Sequence, residues 1–302
     1  MKQLILTVSI FFSSVSLYAQ PYLLVLGTAQ DGGYPHMGCK KECCTKAWNN
    51  QEKIFVVSLA LVNPDTKQWW LFEATPDIKE QLHYFAELTN HEYKYLPDGI
   101  FITHAHMGHY TGLMQLGREA LGAKGVNVYA LPKLKHYLET NGPWSQLVTL
   151  KNIELHELSN NSLTGLTKDI KVKTFTVPHR DEYSETAGFK IITQNKKYLF
   201  IPDINKWDVW QKDIRTEVQQ VDIALLDATF HKSDELPGVR MDEVPHPYVV
   251  ETMQKFTGRS DEEKAKIHFI HMNHTNPLLW NDTARTELIK SGYKVALQGM
   301  KL

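Results

Sequence analysis

The chain is 302 residues long, 42% hydrophobic and 22% charged, with a formal net charge of −1. That length suits one large core or two modest ones, and the mixture is ordinary for a soluble, enzyme-sized globular protein. The near-neutral balance argues against nucleic acid or an anionic membrane held by bulk charge, and leaves a small anionic substrate open.

Residues 1–19 read differently from the rest. Met1-Lys2-Gln3 carries one positive charge, and Leu4 to Val15 is apolar apart from Thr7, Ser9, Ser13 and Ser14. The stretch is short for a bilayer span and ends near the small residue Ala19, which predicts a signal peptide cut after Ala19. The competing reading is a buried first strand or helix. No Cys stands just after the cut, so no lipid anchor and no stable membrane attachment are expected, and the mature protein is expected to be periplasmic or secreted.

Residues 20–302 read as one domain, with no repeat, low-complexity tract or Pro/Gly/Ser linker. Strand-like runs fall at Tyr22–Leu26, Val56–Val62, Trp69–Glu73, Gly99–Ile102, Val126–Ala130, Val172–Val177, Gly188–Ile192, Tyr198–Ile201, Ile223–Leu226, His268–Ile270 and Val295–Leu297. Helical spacing occurs at Ile78–Leu88, Gly112–Leu121, Pro132–Thr140, Trp207–Val218, Val249–Phe256 and Thr283–Ser291, the last with Asn281 or Asp282 as cap. Strands in runs with helices between them predict an α/β protein whose sheets are covered by helices in layers. Asn141 to Lys171 carries weak signals and reads as an insertion near the site, able to supply pocket walls.

The three cysteines, Cys39, Cys43 and Cys44, lie within six residues. An odd number cannot pair fully, and neighbours pair poorly. Three thiolates and a distant His would make a closed zinc site; a disulfide plus one free thiol is the alternative.

The densest chemical signal is Thr103-His104-Ala105-His106-Met107-Gly108-His109, directly after the apolar Ile100-Phe101-Ile102. Spacing of two puts His104 and His106 on one face of an extended chain, and one turn returns His109 towards them. Three converging imidazoles would be poor core material unless something satisfied their nitrogens, which predicts a metal site. A surface loop that happens to hold three His is the plain alternative. Further polar groups stand just past apolar strands: His179, Asp203, Asp227 and His271. Each alone can be a cap or turn residue; their succession is the specific feature.

With these residues in view, the chain resembles the metallo-β-lactamase superfamily over nearly the whole mature length. The likeness rests on Leu26-Gly27-Thr28, the His104/His106/Gly108/His109 motif, His179, Asp203 and His271. The subgroup it resembles is that of coenzyme PQQ synthesis protein B-like members, through Val25–Pro35, Val177–Tyr183, Ile201-Pro202-Asp203 and Asn273–Pro277. The resemblance implies an α/β fold, a four-layer αββα sandwich. It also implies that His104, His106 and His179 bind a first metal, that His109 and His271 bind a second, and that Asp203 bridges them. Related enzymes carry a structural zinc, whose counterparts here would be Cys39, Cys43, Cys44 and His274. The spacing from His271 to His274 would then send one imidazole to each site.

One position departs from the family motif. Residue 108 is Gly where the motif has an aspartate that ligates the second metal, so His109, His271 and Asp203 hold that metal alone, a substitute carboxylate reaches in, or the site is mononuclear. Asp181 and Glu182 are candidates, His231 and His246 are candidate proton carriers, and Gly108→Asp is expected to raise second-metal occupancy. His246 is the candidate for leaving-group protonation; a turn histidine between Pro245 and Pro247 is the other reading. Arg180 and Tyr183 are candidates to hold an anionic group, and an Arg there can equally support a metal His.

The expected cofactors are one or two Zn2+ in the active site and one structural Zn2+, with Fe2+ or Mn2+ as alternatives. Zinc lowers the pKa of bound water to about 7 and polarises the oxygen under attack. The expected function is an exported metal-dependent hydrolase using metal-bound hydroxide on a small-molecule ester, lactam, lactone or phosphodiester, with no nucleic acid partner. The alternatives are an iron-dependent oxidoreductase or oxygenase related to PQQ biosynthesis, for which two His and one carboxylate suffice, and a non-catalytic metal-binding protein.

Overall fold

The structure, a computed structural model, describes residues 20–302 apart from 181, 237 and 239. The leader read at residues 1–19 and the candidate Asp181 lie outside the described residues.

Two mixed sheets form the centre. The first is six-stranded in sequence order: β1 (Tyr22–Gly27), β2 (Ser58–Asn63), β3 (Gln68–Phe72), β4 (Gly99–Phe101), β5 (Val126–Ala130) and β6 (Ile153–Glu157). The second runs in reverse order from β13 (Lys294–Val295) through β12 (Ile267–Ile270), β11 (Ile223–Asp227), β10 (Lys197–Ile201), β9 (Thr186–Ile192) and β8 (Lys171–Val177) to β7 (Leu163–Gly165). The helices are α1 (Glu42–Asn50), α2 (Ile78–Leu88), α3 (Met107–Tyr110), α4 (Pro132–Thr140), α5 (Trp144–Thr149), α6 (Ile214–Gln219), α7 (Val249–Lys255), α8 (Asp261–Lys264), α9 (Pro277–Trp280) and α10 (Asp282–Lys290).

Period-two alternation explains the layering, because successive strand residues face opposite ways. From the first sheet Leu23, Val25, Leu59, Leu61, Phe72 and Phe101 meet Phe189, Ile191, Tyr198, Phe200 and Leu225 of the second in one buried cluster. The opposite face of the first sheet, with Leu24, Ala60, Leu71 and Ile100, packs on Ile78, Leu82 and Phe85 of α2 and on Leu134 and Leu138 of α4. The opposite face of the second, with Phe175, Leu199, Ala224 and Phe269, packs on Ile214, Val218, Val249, Leu278 and Leu288. Helix, sheet, sheet, helix is the four-layer αββα order. Strands buried on both faces read as continuous apolar runs, and ten of the eleven predicted runs are strands over most of their length, while Val295–Leu297 meets β13 only at Val295.

The departures are local. The stretch 141–171 is no insertion: α5 covers the first sheet, and β6 and β7 form an outer strand of each sheet. Strands with few buried residues, such as β7, leave little hydrophobic pattern to read. The helix predicted over Gly112–Leu121 is instead α3 followed by a 3-10 turn, Thr111–Leu116. There the backbone bonds across to the strand β3 exit, Ala74 N–H to His109 O and Gly112 N–H to Ala74 O. The helix predicted over Trp207–Val218 restarts at α6, where Asp213 accepts from Arg215 N–H as a new cap. Asn281 caps α10 through Thr283 and Ala284 N–H.

Candidate metal centre

Strand direction gathers the site. β1, β3 and β4 run the same way in their sheet, as do β8, β10, β11 and β12 in theirs. The segments leaving their C-terminal ends therefore reach one rim of the sandwich. His104 and His106 follow β4, His109 lies in α3, and His179, Asp203 and His271 follow β8, β10 and β12. Asp227 is the last residue of β11, and Asp31 lies in the loop after β1.

The groups converge as two sets, each with ligand atoms within 4.8 Å of one another: His104, His106, His179 and Asp203, and Asp31, His109 and His271. Asp203 Oδ2 is 3.3 Å from His104 Nε2, 3.0 Å from His179 Nε2 and 3.9 Å from both His106 Nδ1 and His109 Nε2, so it lies between the sets. Asp31 Oδ1 is 3.3 Å from His109 Nε2 and 3.9 Å from His271 Nε2.

The remaining nitrogen of each imidazole is held from behind. His104 Nδ1 is hydrogen-bonded to Thr103 Oγ1 (2.9 Å), His179 Nδ1 to Asn205 Oδ1 (3.2 Å) and His271 Nδ1 to Thr229 Oγ1 (3.0 Å). His109 Nδ1 faces Glu73 Oε1 at 3.3 Å, and His106 Nε2 faces Glu182 Oε2 at 3.4 Å. Outer partners of this kind fix the tautomer and aim the free nitrogen inward. Two supports carry non-Gly residues in the left-handed region, Glu73 at φ 74° and His271 at φ 63°, a conformation that costs about 1–3 kcal/mol.

Burial raises the stakes. His104, His109, His271, Glu73 and Asp227 are fully buried and Asp203 nearly so. Burial works against ionisation of Asp203 and Asp31, yet His246 and His179 hold the first carboxyl well below its usual range, and His109 and His271 do the same for the second. Burial and the neighbouring His109 hold His104 well below its ordinary value, so it is a neutral imidazole. His109 goes the other way: against burial, Glu73 and Asp31 hold its proton. Carboxylates that stay ionised are the form a cation requires.

A divalent cation fits this set. His104 Nε2, His109 Nε2, His271 Nε2 and Asp31 Oδ1 are buried without a hydrogen-bond partner, beside Asp203 Oδ2. Native proteins leave few such atoms, and four in one place mark a site built for something that accepts electron pairs.

His246 is buried rather than a plain turn residue. Its Nδ1 lies 3.1 Å from Asp203 Oδ1 and 3.0 Å from Asp227 Oδ2; against burial the two carboxylates push its pKa up to about 10. His231 joins neither set, and Glu235 accepts from its backbone N–H. Glu182 does not reach the second set: it sits outside His106 and 3.6 Å from Arg180. The carboxylate in the second set is Asp31, which the sequence reading passed over. Its signal was the same as for the others, a polar residue shortly after a strand.

Beside Glu182 opens a cleft of about 700 Å³ lined by α4 residues including His136 and Tyr137 and by Tyr183. Of the stretch 141–171 only Asn141 lines it, so its walls come mainly from α4 and the loop after His179. Below the centre, Cys39, Cys44 and His274 form a third group within 4.8 Å. All three cysteines are free thiols, and Cys43 Sγ is 4.0 Å from Cys44 Sγ at its edge. Thus His271 faces the main centre and His274 the thiol group.

An αββα sandwich with His and Asp ligand sets at one strand-end rim defines a metal-binding protein of the metallo-β-lactamase fold. Residues 68–279 match the Beta-lactamase superfamily domain, and the chain belongs to that family. It is similar to coenzyme PQQ synthesis protein B of Methylorubrum extorquens (strain PA1), 23% identical over 93% of this chain and 99% of the relative. Among solved structures it is similar to Zn(2+)-bound PqqB from Methylobacterium extorquens, with TM-score 0.74 and 22% identity over 93% of this chain and 99% of the other. It is also similar to a diphosphatase of the PhnP family, with TM-score 0.65 and 20% identity over 94% and 97% of the two chains. At these identities the structural likeness speaks for the fold.

Proposed function

We propose that this chain is a metal-dependent hydrolase acting on a small molecule with an ester, lactam, lactone or phosphodiester bond. The observation that carries the reading is the set of buried imidazole nitrogens and the Asp31 oxygen around one space without hydrogen-bond partners. His104, His106, His179 and Asp203 would hold one divalent ion, and His109 and His271 with Asp203 alongside would hold another; zinc is the proposed metal. When bound, such ions supply Lewis-acid activation of water and of the bond under attack. The chain's own residues do the rest. Asp203 and Asp227 hold His246 protonated through Nδ1, leaving its Nε2–H as the proposed proton donor to the leaving group. Tyr137 and Tyr183, with ring centroids 5.5 Å apart, offer the substrate a wall next to Glu182 and His106. Arg180, tied to Glu182, steadies that wall.

Cys39, Cys43, Cys44 and His274 are proposed to hold a structural zinc. Export to the periplasm or medium is proposed from the leader-like residues 1–19; among the described residues no helix is long and apolar enough to cross a membrane. Metal analysis with a hydrolase panel tests the reading. Turnover abolished in His104→Ala and restored by no other metal loading supports it; full activity in that variant refutes it.

Asp31, His109 and His271 also form a two-His, one-carboxylate group, a set that suits iron(II) in oxygenases. With the similarity to coenzyme PQQ synthesis protein B, this favours a second reading, an iron-dependent oxidoreductase related to PQQ biosynthesis. Oxygen-dependent turnover by iron-loaded protein, with none on the hydrolase panel, would select it.

A further inference from the structure

The missing aspartate of the histidine motif has a substitute whose place is spatial rather than sequential. An ideal Cβ built on Gly108 would lie 2.1 Å from Asp31 Oδ1, 2.9 Å from Asp31 Cγ and 2.7 Å from Asp31 Cα. The Asp31 carboxylate thus occupies the volume into which a side chain at 108 would begin. With the Asp31 carboxylate in place, position 108 has no room for a side chain.

The β1 exit loop is anchored to deliver that carboxylate. Gly27 lacks room for a Cβ, which would sit 2.1 Å from Val56 O, so the loop passes tightly over the β2 approach. Gln30 N–H donates to Met272 O at 2.8 Å, and Met272 N–H to Thr28 O at 2.9 Å. Met272 follows His271, so Asp31 and His271 are held in register by backbone bonds.

Asp203 Oδ2 lies 3.9 Å from His109 Nε2, and the other described carboxylates near these histidines are turned elsewhere. Glu73 backs His109 Nδ1, Asp227 lies 3.9 Å from His271 Nδ1, and Glu182 sits outside His106. Asp31 alone among them faces the inward nitrogens of both His109 and His271.

We infer that Asp31 is a ligand of the second metal, standing in from the β1 loop for the aspartate absent at position 108. This rests on the metal-centre reading above. It reverses the expectation for Gly108→Asp: with Asp31 in place the new side chain collides with it, including its backbone, and second-metal occupancy falls.

The test is Zn2+ stoichiometry and affinity by equilibrium dialysis against a chelator, on the full mature chain. Asp31→Asn keeps the shape and removes the charge. Gly108→Ala replaces no ligand residue and adds no polar group, but its Cβ displaces the Asp31 carboxylate. The expected result is two centre ions plus the thiol-group ion in wild type. In both variants the second centre ion binds at least about 10-fold more weakly, with the other two unchanged. Asp31→Asn binding both centre ions with wild-type affinity overturns the assignment of Asp31 while leaving the metal centre standing. A wild-type chain that takes up only the thiol-group ion overturns both. Retention of the thiol-group ion shows that a variant has folded, and Asp31→Asn decides if Gly108→Ala does not fold.

Discussion

Glu73 offers the sharpest test of how the centre is aimed, because it touches no inward-facing ligand atom. It is fully buried, accepts from Thr103 N–H at 3.2 Å through Oε2, and sets Oε1 3.3 Å from His109 Nδ1. Glu73→Gln keeps the volume and can still accept from Thr103, but removes the charge behind His109. At 3.3 Å and an effective dielectric near 20, the gross attraction to a charged imidazole is about 5 kcal/mol. Most of that is offset by desolvation, and the loss of an outer carboxylate typically lowers metal affinity about 10–100-fold, roughly 1.4–2.7 kcal/mol. We expect a loss of this size for the ion at Asp31, His109 and His271, read by chelator competition, and little change at the thiol group. Glu73→Ala strands Thr103 N–H and His109 together and should cost roughly 3–5 kcal/mol of fold stability. If Glu73→Gln binds zinc within about two-fold of wild type at every site, the claim that this carboxylate aims His109 is wrong.

Three further outcomes follow from the same geometry. Cys44→Ser should lose one zinc equivalent and lower Tm by roughly 10 °C in a thermal melt, and an unchanged metal count would remove the thiol group as a site. His268, buried in β12, is neutral in the fold because burial lowers its pKa from 6.5 to about 4. The unfolded chain then binds more protons as pH falls, so stability is complete above 6.5 and declines towards 4. That amounts to about 3 kcal/mol in all, with about 2 kcal/mol gone by roughly pH 5. Urea midpoints for His268→Gln should show a flatter acid limb, and an equally steep one counts against the assignment. Tyr183→Ala, at an exposed position on the cleft wall, should raise KM several-fold with kcat little changed; a fall in kcat alone would place the substrate elsewhere.

Much of the fold was readable because buried strands announce themselves. Ser58–Asn63 has every residue buried and its Leu59–Val62 reads as an apolar run, whereas Leu163–Gly165 has no buried residue and was invisible. The helix over Pro132–Thr140 has a proline at its start and a regular apolar face, and its bounds were found. The helix Glu42–Asn50 was not, since its buried residues include Cys43 and Cys44, read for their chemistry rather than their packing.

The site divides in the same way. His104, His106, His109, His179, Asp203 and His271 were legible because each is a costly residue to place at a strand end unless something uses it. Local sequence determined that imidazoles and a carboxylate fit to hold a metal would stand at strand ends and that position 108 carries no carboxylate. What filled the gap was decided by tertiary structure alone. Asp31 lies 77 positions away from Gly108 along the chain, and the two meet because β1 and β4 run in the same direction in one sheet. Absence of a Cβ at one residue becomes room for a carboxylate from another only after the sheet has formed.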